Sequence, residues 1–192
     1  MIYRAEILAE AVVASEHLEA AAGSIMQLAD SMGIQADPDI TLSTIPDDLL
    51  ALNSRGQVDR TVIDAIPYDD SLRVLVTARD LGAGDSESSP LNYVFGTSRL
   101  GRVVVSTLRV RTSDDFGSLV LHEAGHAEGL VQLSARNYNR FSGFGGHCVN
   151  QCLMLPGNSY ADMQSMVTRY RSSAPFCGDC SDFLLGRPRL PW

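Results

Sequence analysis

The sequence predicts a mixed α/β fold. Three observations lead there. Short valine-rich runs with strand character are interleaved with stretches whose apolar residues recur at helical spacing. Hydrophobic residues make up 45% of the chain and charged residues 20%, the balance of a globular protein. No run of 18 apolar residues is present, so no membrane-spanning helix is expected.

The elements follow in order. The N-terminal MIYRAEILAEAVV carries acids inside its apolar stretch and lacks the unbroken core of a secretory signal, so a cytoplasmic protein is expected. Residues 16–32 place Leu18, Ala22, Ile25, Leu28, Ala29 and Met32 on one helical face, with Gly33 as the stop. Asp37-Pro38-Asp39 is turn chemistry, and residues 40–45 read as a short strand. The pair Asp47 and Asp48 is placed to cap a short helix through Leu52. Residues 58–66 form a weak helical segment, and 72–77 a buried strand. Residues 82–90 are a polar loop. LNYVFG and GRVVVSTLRV are two strands joined by a turn around 97–101. Ser113 or Asp114 can cap a helix that carries HEAGH and stops near Gly129. Residues 133–146 read as a loop ending in SGFGG, and 158–170 as a second long helix.

Net charge is -8, and all 15 basic residues are arginine. That balance disfavours a general nucleic-acid binder, which needs clustered cations. The four cysteines are Cys148, Cys152, Cys177 and Cys180, all in the last quarter of the chain. In a cytoplasmic protein such clustering favours metal over disulfides.

The pentad HEAGH places His122 and His126 four apart, on one helix face about a turn from each other. Both imidazoles can aim at one ion. Glu123, offset from that axis, can reach the open side of the ion and hold a water there. A hydrolytic zinc needs three protein ligands and an open fourth position. The carboxylate then acts as general base. The third ligand must come from few candidates. His147 follows the glycine-rich FSGFGG and is favoured over His17, which reads as a surface residue. Gln132 is a poor zinc ligand, whereas Glu128 and Asp162 stay open as carboxylate alternatives. Cys148 and Cys152 form C-x3-C, and Cys177 and Cys180 form C-x2-C. Two such pairs separated by a helix-length spacer suit a closed four-thiolate zinc site, with two disulfides or a redox-active CGDC as alternatives.

Taken together, HEAGHAEGL, the pair His147-Cys148, Cys152 with Met154 two residues on, and FCGDC resemble the archaemetzincin family. LNYVFGTSRLGRVVVSTLRV also resembles the strand pair that precedes that family's active helix. The resemblance covers about residues 70–185. It implies a metzincin-like twisted mixed sheet with a backing helix and an active-site helix, plus a C-terminal zinc-binding subregion built on the four cysteines. It also implies two zinc ions, one catalytic and one structural, with Met154 in a tight turn beneath the catalytic ion. An extended peptide or protein substrate would pair with an edge strand within 101–110. On this reading residues 1–192 are one metalloprotease domain. Its N-terminal part, 1–130, carries the sheet and active helix, and 131–192 carries the third ligand, the methionine turn and the cysteine site.

The sequence departs from the family pattern twice. The family's third histidine falls three residues after the glycine, at a position held here by Gln132, and His147 lies fifteen residues later. The first cysteine pair is one residue tighter than the family's C-x4-C. Residues 132–146 therefore read as an insertion that loops out and returns, at small entropic cost.

The expected function is zinc-dependent peptide-bond hydrolysis with Glu123 as base. Two other readings stay open. A Spartan-like protease for DNA-bound proteins also combines HExxH, a distant third histidine and a zinc module, although the acidic balance and the strand pair do not suit it. A non-catalytic metal-stabilised module would use the same cleft for peptide or protein recognition. Neither a nucleic-acid nor a membrane partner is expected, and the sequence leaves the oligomeric state open.

Overall fold

The computed structural model describes residues 3–34, 37–46, 49–69, 71–82, 93–139, 146–157 and 160–186. In chain order its elements are β1 (Arg4–Ala9), α1 (Ser15–Ser31), β2 (Asp39–Thr44), β3 (Val58–Asp59), α2 (Val62–Ala65) and β4 (Leu72–Thr77). There follow β5 (Leu81–Gly82), β6 (Tyr93–Val94), β7 (Gly96–Arg99), β8 (Arg102–Ser106), α3 (Ser113–Ala127), α4 (Tyr160–Tyr170) and α5 (Gly178–Gly186). Residues 47, 48, 83–92, 140–145 and 158 were assigned above to a cap, a loop, a strand start, a second loop and a helix start; they lie outside the described residues.

Five strands form a mixed sheet in the order β2-β1-β4-β8-β7. β1 is parallel to both β2 and β4, β4 is parallel to β8, and β7 returns antiparallel to β8. Side-chain alternation gives the sheet two apolar faces. Ala5, Ile7, Val74, Val76, Val103 and Val105 join the core shared with α1 and α3. Their neighbours Leu8, Leu75 and Val104 point the other way, onto Val58, Ile63, Ile66 and Leu81. Because both faces are covered, LRVLVT and RVVVS read as nearly continuous apolar runs. Each fully buried valine or leucine in them contributes about 1.5–3 kcal/mol of transfer free energy.

Sequence patterning located β2, β4, α1 and α4 closely, and it missed β1 and α5. Glu6 breaks the apolar alternation of β1, yet in register it faces Arg73 of β4 and pairs with it at 3.3 Å. The charge is answered by a strand 67 residues away, which no local pattern reveals. The helix expected through Leu52 is absent among the described residues. Instead Asn53 Oδ1 accepts from the backbone N–H of Arg55 and Gln57, turning the chain so that Leu52 bridges Val58. Residues 58–66 accordingly begin as β3 and only then form α2. The run 91–96 also divides: Tyr93 and Val94 pair with β5 in a small sheet, and Gly96 opens β7 in the large one.

The edge strand was expected within 101–110. The structure corrects this: β8 lies inside the sheet, between β4 and β7, and β7 is the edge. The hairpin turn at Leu100 and Gly101 places Gly96–Arg99 outermost, beside α3.

Candidate active site

The helix that carries HEAGH is fixed at its start by Thr112, not Ser113 or Asp114. Thr112 Oγ1 accepts from the Asp115 N–H at 3.1 Å, and the Asp115 carboxylate accepts from the Thr112 N–H at 3.1 Å. Asp115 also accepts from Gln164 of α4 at 3.0 Å, which fixes α4 against α3. Ser24 of α1 donates to the Gly117 carbonyl at 2.9 Å. The helix is therefore held from both sides, and Phe116, Val120, Leu121 and Ala124 are fully buried along it.

One turn further on, His122 and His126 bring their Nε2 atoms to 3.2 Å. The Leu153 carbonyl lies 2.8 Å from His122 Nδ1. A carbonyl can only accept, so Nδ1 carries the proton and Nε2 keeps its lone pair. His147 stacks on His122 with ring centroids 5.3 Å apart and meets His126 edge-on at 5.1 Å. One ring nitrogen from each of the three lies within 4.8 Å of the others. Burial lowers the His122 pKa to about 4. Burial, then the neighbouring imidazoles, hold His126 well below the ordinary histidine value. His122 and His126 thus favour the neutral form with a free lone pair, and with His147 converging on them the three imidazoles fit a zinc ion.

The other candidates stand elsewhere. Glu128 is buried and accepts from the Tyr3 hydroxyl at 2.8 Å, in the core behind the helix. His17 is half-buried against Phe116, 5.1 Å between ring centroids, and not on the surface. Gln132 is exposed, and its carbonyl accepts from the Ala135 N–H. Among the described residues neither Glu128, His17 nor Asp162 joins the histidine group.

Glu123 lies beside the group, 9% exposed. Its carboxylate accepts from Ser98 Oγ of β7 at 2.6 Å. Burial pushes its pKa up to about 7, and the Ser98 hydrogen bond opposes this. Gly96 is what lets β7 come so near: a Cβ there would stand 2.8 Å from Glu123 Cγ. Ser98 and Gly96 carry no motif, so nothing in the sequence marks them. Glu123, the histidines and β7 border a cleft of about 400 Å³, with Arg60 at one wall and Met163 and Met166 of α4 at another.

The four cysteines are all free thiols, and their Sγ atoms lie within 4.8 Å of one another. Cys148 and Cys177 are 3.7 Å apart, and Cys152 and Cys180 are 4.0 Å apart, far beyond a disulfide bond. The contacts cross between the two sequence pairs, which is the arrangement of a four-sulfur metal site and not of two local bridges. The hydrogen bond from Cys180 draws the Cys152 thiol down to about 5, while burial pushes Cys148 up to about 12. Met154 is buried against Gly125, where a Cβ would meet its Sδ at 2.8 Å. The chain at 152–154 therefore runs directly under the histidine pair.

A mixed sheet, a helix presenting HExxH against an edge strand, and a methionine beneath the histidine pair give the chain a metzincin-like fold. No protein-family model matches the chain. An archaemetzincin of Nanoarchaeum equitans (strain Kin4-M) is 32% identical over 87 residues, which cover 45% of this chain and 42% of that protein. The matched part thus spans less than half of that relative. The crystal structure of an archaemetzincin from Methanopyrus kandleri superposes with a TM-score of 0.65 at 20% identity, covering 95% of this chain and 93% of that one. That of an archaemetzincin from Archaeoglobus fulgidus, complexed with malonate, gives 0.62 at 23% identity, covering 93% and 98%. The fold is that of these archaemetzincin structures.

Among the described residues no helix is long and apolar enough to cross a membrane.

Proposed function

We propose that this chain is a zinc-dependent peptidase acting on peptide or protein substrates. The observation that carries the reading is the convergence of His122, His126 and His147 beside the Glu123 carboxylate, in a cleft bordered by an edge strand. The three imidazoles would hold the catalytic zinc, which supplies Lewis-acid polarisation of the scissile carbonyl and acidifies water. Glu123 takes the proton from the attacking water and passes it to the departing amine. The Ser98 hydrogen bond would hold the carboxylate in the cleft that the histidines also line. Among the described residues no strand pairs with the outer side of β7, so its backbone can add an extended peptide as a further strand.

Cys148, Cys152, Cys177 and Cys180 would hold a second, structural zinc. A closed thiolate site has no open position, so its binding energy becomes folding energy for the C-terminal part. This is consistent with a single domain, 1–192, in which 1–130 supplies the sheet and active helix and 131–192 supplies His147, Met154 and the cysteine site.

The test is digestion of a broad peptide library by zinc-loaded protein and by Glu123→Ala, with metal content measured on both. Wild-type cleavage that disappears in the variant while metal is retained supports the reading. Undiminished hydrolysis by Glu123→Ala overturns the role of Glu123. Metal binding without any wild-type cleavage turns the conclusion to a metal-stabilised binding module.

A further inference from the structure

The segment that leads from the active helix to His147 is engaged with the cysteine cluster. Asn137 is buried at 5% exposure. Its amide nitrogen lies 3.0 Å from Cys148 Sγ, 3.1 Å from Cys180 Sγ and 3.8 Å from Cys177 Sγ. Its own backbone is tied to the strand beyond His147. The Val149 N–H donates to the Asn137 carbonyl at 2.9 Å, the Asn139 N–H donates to the His147 carbonyl at 2.7 Å, and Tyr138 bridges Cys148 antiparallel. Residues 137–139 and 147–149 thus form one short two-stranded unit. Within that unit Asn137 touches the sulfurs, Cys148 supplies one of them, and His147 is the third histidine.

We propose that Asn137 is a positioning residue that couples the two metal sites. This rests on the reading that both clusters take metal. Four thiolates around one divalent ion leave excess negative charge in a buried place, and N–H donors aimed at sulfur offset it. An asparagine amide offers two such donors and no charge. With sulfur ligated, Asn137 is held, the 137–139 strand is held, and the backbone carbonyl of His147 is fixed from the Asn139 N–H. His147 is then oriented toward His122 and His126 before any cation arrives there. Because coupling between binding sites is reciprocal, occupancy of the cysteine site raises affinity at the histidine site, and the reverse. The segment therefore does more than bridge a gap in sequence.

The experiment is cobalt titration of the full chain, as wild type, Asn137→Ala, Asn137→Asp and His126→Ala. The sulfur-to-cobalt charge-transfer band reads the cysteine site, and chelator competition reads the weaker site. Circular dichroism monitors folding. Asn137→Ala is expected to weaken cobalt at the thiolates roughly ten- to a hundredfold, the range found for partners of metal ligands, and to weaken the histidine site as well. Asn137→Asp, which adds a carboxylate against the sulfurs, is expected to do more; if it fails to fold, Asn137→Ala decides. His126→Ala keeps the charge-transfer band and abolishes the second site.

The proposal is overturned if wild type gives no thiolate band, or if both Asn137 variants titrate as wild type. It is also overturned if the thiolate site weakens while the histidine site does not. None of these readouts needs peptide hydrolysis. Protein that loads both sites with the expected coupling and cleaves nothing overturns the peptidase reading and leaves this one standing.

Discussion

The Ser98 hydroxyl donates a 2.6 Å hydrogen bond to the Glu123 carboxylate, joining the edge strand of the sheet to the helix that carries the histidines. The contact holds a buried carboxylate that would otherwise rotate within the cleft. Ser98→Ala should lower kcat for peptide hydrolysis by roughly ten- to a hundredfold, the cost of a hydrogen bond to a charged group. KM should change little, because the Ser98 hydroxyl would orient the proposed base while the β7 backbone proposed to pair with the peptide is kept in Ser98→Ala. Steady-state kinetics decide it, with thermal melting as the folding control. Unchanged kcat would leave Ser98 without the role.

Gly96 offers an independent check on the same geometry. A Cβ at this position would lie 2.8 Å from Glu123 Cγ and 3.0 Å from its Oε1. Replacing a strand glycine with alanine ordinarily helps stability, by about 0.5–1 kcal/mol. Gly96→Ala should therefore melt near the wild-type temperature while losing at least roughly tenfold in kcat, since the displaced group is the proposed base. Activity and stability falling together would point to a general disruption of β7.

These two residues mark the boundary of what the sequence could say. HEAGH and the two cysteine pairs stand out because a shared metal ion would impose spacing within a helix turn or a tight loop. The strand LRVLVT was legible because burial on both faces demands a continuous apolar run. His147 stands out because the chain has four histidines and this one follows FSGFGG and precedes Cys148, but its approach to His126 depends on a backbone path that no local pattern encodes. Ser98, Gly96 and Asn137 are ordinary residues whose partners lie 25, 27 and at least 11 positions away. Their importance arises from tertiary proximity alone. β1 stayed hidden for the same reason, since its Glu6 reads as a surface charge until Arg73 is placed beside it.

Arg60 is the one guanidinium among the described residues lining the cleft, in a chain whose net charge is -8. Peptides that present a carboxylate near it, from an acidic side chain or a free C-terminus, should be cleaved better than neutral or amidated ones. The gain should be roughly two- to fivefold in kcat/KM, as for a largely exposed ion pair, and should shrink at high salt. Arg60→Gln should erase the preference and leave cleavage of neutral peptides unchanged. An unaltered preference in the variant would assign it to another group.

Removing metal should separate the two clusters. Cys180 is buried in the core and the four sulfurs would bind a closed structural ion, so chelation or Cys180→Ser should lower the melting temperature and expose the C-terminal part to proteolysis. His126→Ala removes a proposed ligand from a pre-built helix and should abolish hydrolysis with a much smaller change in melting. Equal thermal losses in the two variants would contradict the division into a structural and a catalytic site.

Glu10 gives a prediction about the scaffold itself. Its carboxylate follows β1 and accepts from Thr77 Oγ1 at 2.6 Å, the Ala78 N–H at 2.7 Å and Arg79 Nε at 2.8 Å, closing the end of β4. Burial alone would raise its pKa, but the hydrogen bonds from Arg79, Thr77 and Ala78 outweigh it and hold the group below the usual glutamate value. The folded state therefore releases this proton more readily than the unfolded chain does. Its stabilisation is fully present above the unfolded glutamate pKa of about 4.3 and is lost as pH falls through the lower folded value. Glu10→Gln should lose about 1–2 kcal/mol of unfolding free energy at neutral pH, allowing for the half-exposed Arg79. In urea titrations the gap between variant and wild type should narrow steadily below about pH 4. A gap that stays constant from neutral pH to about pH 3 would show that the charge on Glu10 contributes nothing and that shape alone matters there.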